Sequence, residues 1–313
     1  MSAKPSLLVT AADLAPQALA LLADFEVVYA GKAPDEDTIT SLCERHQPVA
    51  IIVRYGKIPA RVIEASKALR VISKHGSGID TIDSKAAAAR GIAVKAASGA
   101  NADAVAEHAW ALILACAKNV VALDARMRAG HWDKATHKSL ELKGKTLGVV
   151  GIGAIGRRVA ELGVAFGMQV LAFDPIAKTA PAGVSLVDLD RLLAQSNVVS
   201  LNCPLTEANR QMINRDSIAT MRDGAILVNT GRGGLIDEVA LLEALASGKL
   251  RAAGLDAFAT EPLVGEHHFR AIPNVILSPH VGGVSEDAYV NMGTAAARNV
   301  LAALSQPRPA AAA

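Results

Sequence analysis

The stretch KTLGVVGIGAIGRRVAELGVAFGMQVLAFD, residues 145–174, decides the fold. An apolar strand leads into a glycine-rich turn, the turn opens a helix-like segment, and a second apolar strand follows. The turn itself is Gly151-Ile152-Gly153-Ala154-Ile155-Gly156. This glycine spacing lets backbone N–H groups at a helix N-terminus face a pyrophosphate. The stretch therefore predicts a dinucleotide-binding unit.

Asp174 directly follows the second strand of this stretch. A carboxylate at that place can accept hydrogen bonds from an adenosine ribose diol and repels a 2′-phosphate, so we expect NAD rather than NADP. In the alternative interpretation the glycines form only a turn and Asp174 only ends a strand before Pro175. Lys178, close to Asp174 in sequence, is either a solvated lysine or a ligand for the 2′-phosphate of NADP.

Short β-branched runs alternate with Ala- and Leu-rich helical stretches along the whole chain, which is typical of α/β proteins with parallel sheets. Predicted strands cover residues 6–10, 25–30, 49–54, 70–76 and 92–97, then 145–153, 168–175, 197–204, 224–230, 250–258 and 274–280. Residues 101–130 have one long helical pattern. Residues 285–304 predict a last helix with Ser285 as its N-cap, before a disordered tail at 305–313.

Length, charge and cysteine content exclude several classes of function. The chain has 313 residues, enough for about two domains. Its 32 basic and 30 acidic residues leave +2 without blocks of like charge, so no nucleic-acid or membrane partner is expected. No apolar run suits a membrane span or a secretory signal, which predicts a cytoplasmic protein. Cys43, Cys116 and Cys203 lack metal-like spacing, so we expect reduced thiols and no metal.

Seven ordered motifs connect the chain to a known family. They are KHGSGIDTID (74–83), GANADAVAEHAW (99–110), GVVGIGAIG (148–156), NCPLTEANR (202–210), VNTGRGGLIDE (228–238), GLDAFATEP (254–262) and LSPHVGG (277–283). With these motifs the chain resembles the D-isomer-specific 2-hydroxyacid dehydrogenases, which include phosphoglycerate, glycerate, lactate and formate dehydrogenases. The likeness extends over nearly the whole chain.

The resemblance implies an α/β fold of two doubly wound parallel-sheet, Rossmann-like domains. The NAD-binding domain, residues 100–283, would be inserted into a discontinuous, flavodoxin-like substrate domain made of residues 1–99 and 284–313. Members of the family are usually dimers, so we expect a homodimer formed through the NAD domain with the help of the long helical segment.

The resemblance also implies an NAD-dependent oxidoreductase that interconverts a D-2-hydroxy acid and a 2-keto acid. Arg232 would bind the substrate carboxylate, because its guanidinium group offers parallel N–H donors and stays charged at any working pH. His280 would give a proton to the C2 oxygen as hydride arrives and take it back in oxidation. Glu261 would accept the other ring N–H of His280, fixing its tautomer and raising its pKa. Each residue also has a purely structural interpretation. Arg232 can be an ordinary loop arginine, His280 a structural histidine, and Glu261 a carboxylate that starts a helix before Pro262.

Further contacts follow from the resemblance alone. The residues expected around NAD are Gly151, Gly153, Ala154, Ile155, Gly156, Asp174, Cys203, Pro204, Thr230, Gly231, Asp256, Gly282 and Gly283. Asp256 would hold the nicotinamide carboxamide. Cys203 is not expected to be a nucleophile, because no activating base is beside it in sequence.

Substrate contacts are expected from Arg54, Tyr55, Ser77 and Gly78, although Arg54 can equally be a surface charge. One candidate substrate is 3-phosphoglycerate, which the positive charge of Arg54, Lys57 and Lys74 favours. The others are glyoxylate and hydroxypyruvate, which need only the residues that bind the carboxylate. Two other functions remain open at this point. One is an NAD-sensing, corepressor-like binding protein with little turnover, and the other is an NAD enzyme of another class, such as an amino-acid dehydrogenase.

Overall fold

A computed structural model of the chain describes residues 4–306. The chain forms two compact units. The first comprises the residues up to Asn101 and those from Val284 onward, and the second runs from Ala102 to Gly283. Residues 307–313 of the predicted disordered tail lie outside the described residues. Each unit contains one parallel sheet with helices on both faces, so the predicted α/β class is confirmed.

The first unit has a five-stranded sheet in the order β2-β1-β3-β4-β5, the flavodoxin-like order that was predicted. Its strands are β1 (Ser6–Val9), β2 (Glu26–Tyr29), β3 (Ala50–Val53), β4 (Val71–Lys74) and β5 (Ala93–Ala96). Its helices are α1 (Pro16–Leu21), α2 (Glu36–His46), α3 (Ala60–Ala65), α4 (Ser84–Ala89) and the last helix of the chain, α11 (Glu286–Leu304). Ser285 caps α11 as predicted, because its side chain accepts a hydrogen bond from Ala288 N.

Alternation along the strands sends side chains of the first unit into two cores. Leu7 and Val9 of β1 belong to the core shared with α1 and α11, while Leu8 between them belongs to the core shared with α2, α3 and α4. All four residues of β3 are buried. A central parallel strand covered on both faces needs such a continuous apolar run.

The second unit has a seven-stranded parallel sheet in the order β12-β11-β10-β9-β6-β7-β8. Its strands are β6 (Thr146–Val150), β7 (Gln169–Phe173), β8 (Val184–Leu186), β9 (Val198–Leu201), β10 (Ala225–Asn229), β11 (Leu250–Leu255) and β12 (Val275–Leu277). Its helices are α5 (Ala102–Lys118), α6 (Val120–Arg128), α7 (Ala154–Ala165), α8 (Leu189–Gln195), α9 (Arg215–Thr220) and α10 (Glu238–Ala246). Short 3₁₀ turns occur at Glu207–Asn209, Gly233–Leu235 and His268–Ala271.

The helical pattern at residues 101–130 predicted one helix, and this prediction was wrong. Asn119 has φ of 57° and separates α5 from α6. An asparagine tolerates this left-handed conformation better than most residues, and one such residue ends an α-helix. Among residues 4–306 no single helix is long and apolar enough to cross a membrane; only α5 and α6 taken together, bent by 62°, meet that length and composition.

Candidate functional site

The predicted catalytic and cofactor residues all follow the carboxyl ends of strands of the second unit. The glycine-rich turn follows β6, Asp174 follows β7, Cys203 and Pro204 follow β9, Thr230 to Arg232 follow β10, Asp256 and Glu261 follow β11, and His280 to Gly283 follow β12. Because parallel strands end at the same edge, the fold brings Asp174 and residues from five separate motifs to one edge. The strand order reverses between β6 and β9, which is where open α/β sheets bind their ligands.

Two of the three glycines in the turn after β6 are required by close packing, and the third leaves open space. Gly151 has φ of 87°, and a Cβ there would lie 2.8 Å from the Cβ of Cys203. A Cβ on Gly156 would lie 1.8 Å from the carbonyl oxygen of Gly151, so helix α7 packs against the turn too closely for any side chain. A Cβ on Gly153, the N-cap of α7, would meet nothing within 4 Å. Gly153 therefore leaves open space at a helix N-terminus, where a phosphate can approach the backbone.

The carboxylate of Asp174 joins the glycine-rich turn after β6 to the loop after β7. Its Oδ2 accepts a hydrogen bond from Ile152 N at 3.0 Å, and its Oδ1 accepts from Ile176 N and Ala177 N at 2.9 and 3.1 Å. Burial alone would raise the pKa of Asp174, but these backbone donors and the charge of Arg157 outweigh it and lower the pKa. The group is therefore an anion that retains a lone pair on Oδ2 for one more donor.

Arg232 sits in a turn that a buried asparagine holds in place. Asn229, the last residue of β10, is fully buried. Its Nδ2 donates to Arg232 O at 3.0 Å, and its Oδ1 accepts from Gly231 N at 3.0 Å. Arg232 Nη1 in turn donates to Gly231 O at 2.8 Å. A Cβ on Gly233 would collide with the backbone of Phe258, so the turn packs directly on the segment that follows β11.

His280 and Glu261 form a hydrogen-bonded pair: the Nδ1 atom of His280 lies 2.7 Å from the Oε2 atom of Glu261. Glu261 Oε1 accepts from Phe258 N at 2.9 Å, which fixes the carboxylate. The bond from Glu261 raises the pKa of His280 above its ordinary 6.5, although burial and the charge of Arg232 oppose this. Burial raises the pKa of Glu261, but its bonds to His280 and Phe258 prevail and lower it.

Behind His280 is a buried network that sequence reasoning only partly found. Asp256 is 2% exposed and accepts from Ser278 Oγ at 2.5 Å, from Val281 N at 2.9 Å and from Gly282 N at 2.8 Å. His108 Nε2 lies 2.8 Å from Ser278 Oγ and 3.3 Å from Asp256 Oδ1. The Asp256 carboxylate thus holds the turn that carries His280, whose φ is 54°.

The roles of Asn229, Ser278 and His108 were missed. Asn229 and Ser278 could have been noticed as polar side chains at the ends of apolar strands, and His108 as a polar side chain in a long apolar helix. Sequence order alone does not show that such groups bond to one another, because their partners come from distant segments.

The three cysteines are free. Burial raises the pKa of Cys43 and of Cys116 to about 12 and that of Cys203 to about 11. A thiol with such a pKa is protonated at neutral pH and a poor nucleophile. Within residues 4–306 no group of three or more His, Cys, Asp and Glu side chains is arranged to hold a metal ion.

The predicted substrate contacts belong to the first unit. Arg54 and Tyr55 follow β3, and Ser77 and Gly78 follow β4, so these residues also lie at the carboxyl edge of a parallel sheet. Ser77 Oγ is 3.1 Å from Asn101 Oδ1. Arg54 Nη1 is 2.5 Å from Asp13 Oδ1, which makes it part of an ion pair rather than an isolated surface charge.

A glycine-rich βα turn at the switch point of a parallel sheet, followed by an anionic strand-end aspartate, defines the dinucleotide-binding class of oxidoreductases. A histidine that is hydrogen-bonded to a carboxylate at the same edge fits that class. Within it, the chain belongs to the D-isomer-specific 2-hydroxyacid dehydrogenase family: the model of that family's NAD-binding domain matches residues 110–282. The predicted family, enzyme class and NAD-type cofactor are thereby confirmed.

Individual relatives agree with this assignment. The chain is 44% identical to hydroxypyruvate reductase of Thermotoga maritima over 78% of this chain and 81% of that protein. It is 39% identical to D-3-phosphoglycerate dehydrogenase of Mycobacterium bovis over 93% of this chain, and this match spans only 55% of that longer protein. The crystal structure of a glyoxylate reductase from Paecilomyes thermophila superposes with a TM-score of 0.87, at 31% identity, over 99% of this chain and 98% of that chain.

Proposed function

We propose that the chain reduces a short 2-keto acid to the D-2-hydroxy acid with NADH and catalyses the reverse oxidation with NAD. The observation that carries this proposal is the 2.7 Å bond between His280 and Glu261, at the sheet edge that also holds the glycine-rich turn. A histidine with a raised pKa beside a carboxylate is a proton donor matched to neutral pH. The intact pair favours catalysis over a protein that only senses NAD.

The proposed proton path begins at the ring nitrogen that Glu261 leaves open. Because Nδ1 of His280 is bonded to Glu261, Nε2 is the atom that can face the C2 oxygen of the keto acid. His280 in its charged form donates this proton during reduction, and Glu261 stabilises the charge before the transfer. In oxidation neutral His280 takes the proton from the hydroxyl group. Each direction therefore starts from one defined protonation state.

Arg232 has the proposed role of binding the substrate carboxylate. Its backbone is fixed on both sides by Asn229, and its guanidinium group can present parallel donors to a carboxylate. Its charge reaches His280, whose pKa it lowers. An anion bound to Arg232 would offset that effect, so substrate binding would favour the protonated form of His280.

The residues of the second unit fit a bound dinucleotide. The open space at Gly153 suits a pyrophosphate, and the anionic Asp174 suits a ribose diol and not a 2′-phosphate, so we propose NAD over NADP. When bound, NADH supplies the hydride that reaches C2. Pro204, Thr230 and Gly283 complete the proposed contacts along the edge. Asp256, whose carboxylate also accepts bonds from Val281 N and Gly282 N, is the residue proposed to hold the nicotinamide carboxamide.

The substrate we propose is a two- or three-carbon keto acid. The candidates are glyoxylate, hydroxypyruvate and phosphonooxypyruvate, the last being the keto acid that corresponds to 3-phosphoglycerate. The names of the relatives support this range of substrates. Within the first unit, we propose Arg54, Tyr55 and the backbone around Ser77 and Gly78 as substrate contacts.

A homodimer formed through the second unit is part of the proposal. Helix α6 buries none of its nine residues in the chain, and its Val121 and Met127 are 56% and 51% exposed. Trp132, just beyond the helix, is 75% exposed. Apolar side chains grouped in this way usually lie in an interface. We propose the cytoplasm as the location, where the three free thiols stay reduced.

The proposal is tested by initial rates of NADH oxidation with glyoxylate, hydroxypyruvate, phosphonooxypyruvate, pyruvate and 2-ketoglutarate, each repeated with NADPH. We expect turnover of at least one of the first three acids, with NADH preferred. Tight NADH binding without turnover of any acid would contradict the proposal and favour an NAD-sensing protein.

A further inference from the structure

The turn that carries His280, residues 278–282, begins and ends on the carboxylate of Asp256. At its start Ser278 Oγ donates to Asp256 Oδ1 at 2.5 Å. At its end Val281 N and Gly282 N donate to the two carboxylate oxygens at 2.9 and 2.8 Å. Because Asp256 follows β11, the turn after β12 depends on a side chain from the neighbouring strand.

His280 needs this support because of its backbone conformation. Its φ of 54° lies in the left-handed region, which a residue with a side chain keeps only where the surrounding structure holds it. His280 N donates to Ser278 O at 3.0 Å, so the bend is tight. The position of the imidazole therefore depends on how firmly the residues on either side are held.

His108 reaches the same network from another element of the second unit. It lies in α5, and its Nε2 is 2.8 Å from Ser278 Oγ and 3.3 Å from Asp256 Oδ1. Its ring also lies beside the end of the turn, because a Cβ on Gly282 would be 3.4 Å from His108 Cδ2. His108 thus connects the long helix to the turn.

The hydrogen of Ser278 decides the direction of these bonds. A serine hydroxyl has a single hydrogen, and that of Ser278 goes to Asp256 Oδ1. Ser278 Oγ can then only accept from His108, so Nε2 of His108 carries a proton and donates it. A donor at this place prevents the hydroxyl from turning toward the histidine ring and keeps it bonded to the carboxylate.

We propose that His108 is a positioning residue for the proton donor His280: by donating to Ser278 it directs the Ser278 hydrogen to Asp256 and so stabilises the left-handed turn. This inference rests on the proposed function, because it takes His280 as the proton donor. His108 acts through Ser278 and Asp256 and takes no part in proton transfer itself.

The first test uses the full chain without cofactor or substrate. Hydrogen–deuterium exchange reports on the amide hydrogens of Val281 and Gly282, which are bonded to Asp256. In His108→Phe, which keeps an aromatic ring but has no donor, these amides should exchange faster than in wild type by about fivefold or more, the effect of one net hydrogen bond. His108→Gln, whose side-chain amide can donate at the same place, should restore the protection. Glu107→Gln, at the exposed neighbouring position, should leave it unchanged.

The second test determines whether His108 acts through Ser278 on catalysis. In His108→Phe, kcat for reduction of the preferred keto acid with NADH should fall by about tenfold or more, because the proton donor is displaced, while KM for the acid changes little. His108→Gln should recover most of kcat. Ser278→Ala should have the same effect as His108→Phe, and the double variant should lose no more than either single variant, because both changes break one chain of bonds.

Wild-type exchange or wild-type kcat in folded His108→Phe, or losses that add in the double variant, overturn the inference while the proposed function stands. If His108→Phe does not fold, Ser278→Ala decides the exchange measurement, and wild-type protection of Val281 and Gly282 in that variant overturns the inference. Absence of turnover by wild type with any keto acid overturns the proposed function itself, whatever the exchange shows.

Discussion

The Nδ1 atom of His280 lies 2.7 Å from the Oε2 atom of Glu261, and this bond fixes which ring nitrogen is open to a ligand. The His280 side chain is 44% exposed and that of Glu261 is 35% exposed, so the imidazole is accessible while its carboxylate partner is held from behind by Phe258 N. The geometry is that of a positioned proton donor with a fixed tautomer.

His280→Ala should lower kcat for keto-acid reduction by about a hundredfold or more, because general acid catalysis contributes about this much. NADH affinity should change little, since the substitution removes no contact with the glycine-rich turn. Steady-state rates and NADH binding by fluorescence measure the two effects. His131→Ala, at an exposed position of the second unit, is the matched control. An increase in KM with unchanged kcat would show that His280 only binds substrate.

Two glycine substitutions should separate folding from cofactor binding. Gly153→Ala places its methyl group in open space, so the melting temperature should stay near that of wild type while the Kd for NADH rises by about tenfold or more. Gly156→Ala drives a Cβ into the backbone of Gly151 and should cost about 1–3 kcal/mol of stability. Thermal melts and NADH titration of both variants decide the matter. Wild-type NADH affinity in Gly153→Ala would remove this turn from the cofactor site.

Asp174→Asn should reduce the discrimination against NADPH by about tenfold, because it removes the charge that repels a 2′-phosphate. The asparagine Oδ1 can still accept from Ile176 N and Ala177 N, so the loop after β7 keeps these bonds, whereas Nδ2 cannot accept from Ile152 N. Both cofactors meet this loss in the glycine-rich turn, so the ratio between them isolates the effect of the charge. The ratio of kcat/KM for NADH and NADPH measures the change, with Asp190→Asn at an exposed position as control. An unchanged ratio would mean that Asp174 does not face the ribose.

The amino-acid sequence predicted most of the sheet positions in both units. All eleven predicted strands contain an observed strand, because buried parallel strands are short apolar runs bounded by turn residues. β8 was missed: it has three residues, none buried, so it lacks an apolar signal. The break at Asn119 was missed as well, because a single left-handed residue leaves the apolar periodicity on either side intact.

The candidate site was predictable by motif but not by contact. The motifs pointed to Arg232, Glu261 and His280, yet nothing in their order indicates that Asn229 braces the first or that Asp256 holds the turn of the last. For Arg54 the sequence left a substrate contact and a surface charge equally open. Its ion pair with Asp13 depends on two loops that diverge at a switch point, which is a property of the three-dimensional sheet order.

Buried His75 should make the first unit sensitive to mild acid. Burial lowers its folded-state pKa to about 4, whereas the unfolded chain has the ordinary 6.5, so between these values the unfolded state binds a proton that the folded state does not. Stability is fully present above pH 6.5 and should fall as pH decreases toward 4, by at most about 1.4 kcal/mol per pH unit from this residue. Urea denaturation across that range should give a smaller slope for His75→Gln than for wild type or His131→Gln. Equal slopes would show that His75 is protonated in the folded chain.

The most direct test of the proposed mechanism is the pH dependence of kcat/KM for reduction, measured for wild type and Glu261→Gln. Reduction needs protonated His280, so the wild-type rate should decrease with rising pH only above the ordinary histidine pKa of 6.5, because Glu261 raises the pKa of His280. Without the Glu261 charge the pKa falls, and the decrease should begin at lower pH in Glu261→Gln. A profile whose position is the same in both proteins would contradict the assignment of His280 and Glu261 as the acid–base pair.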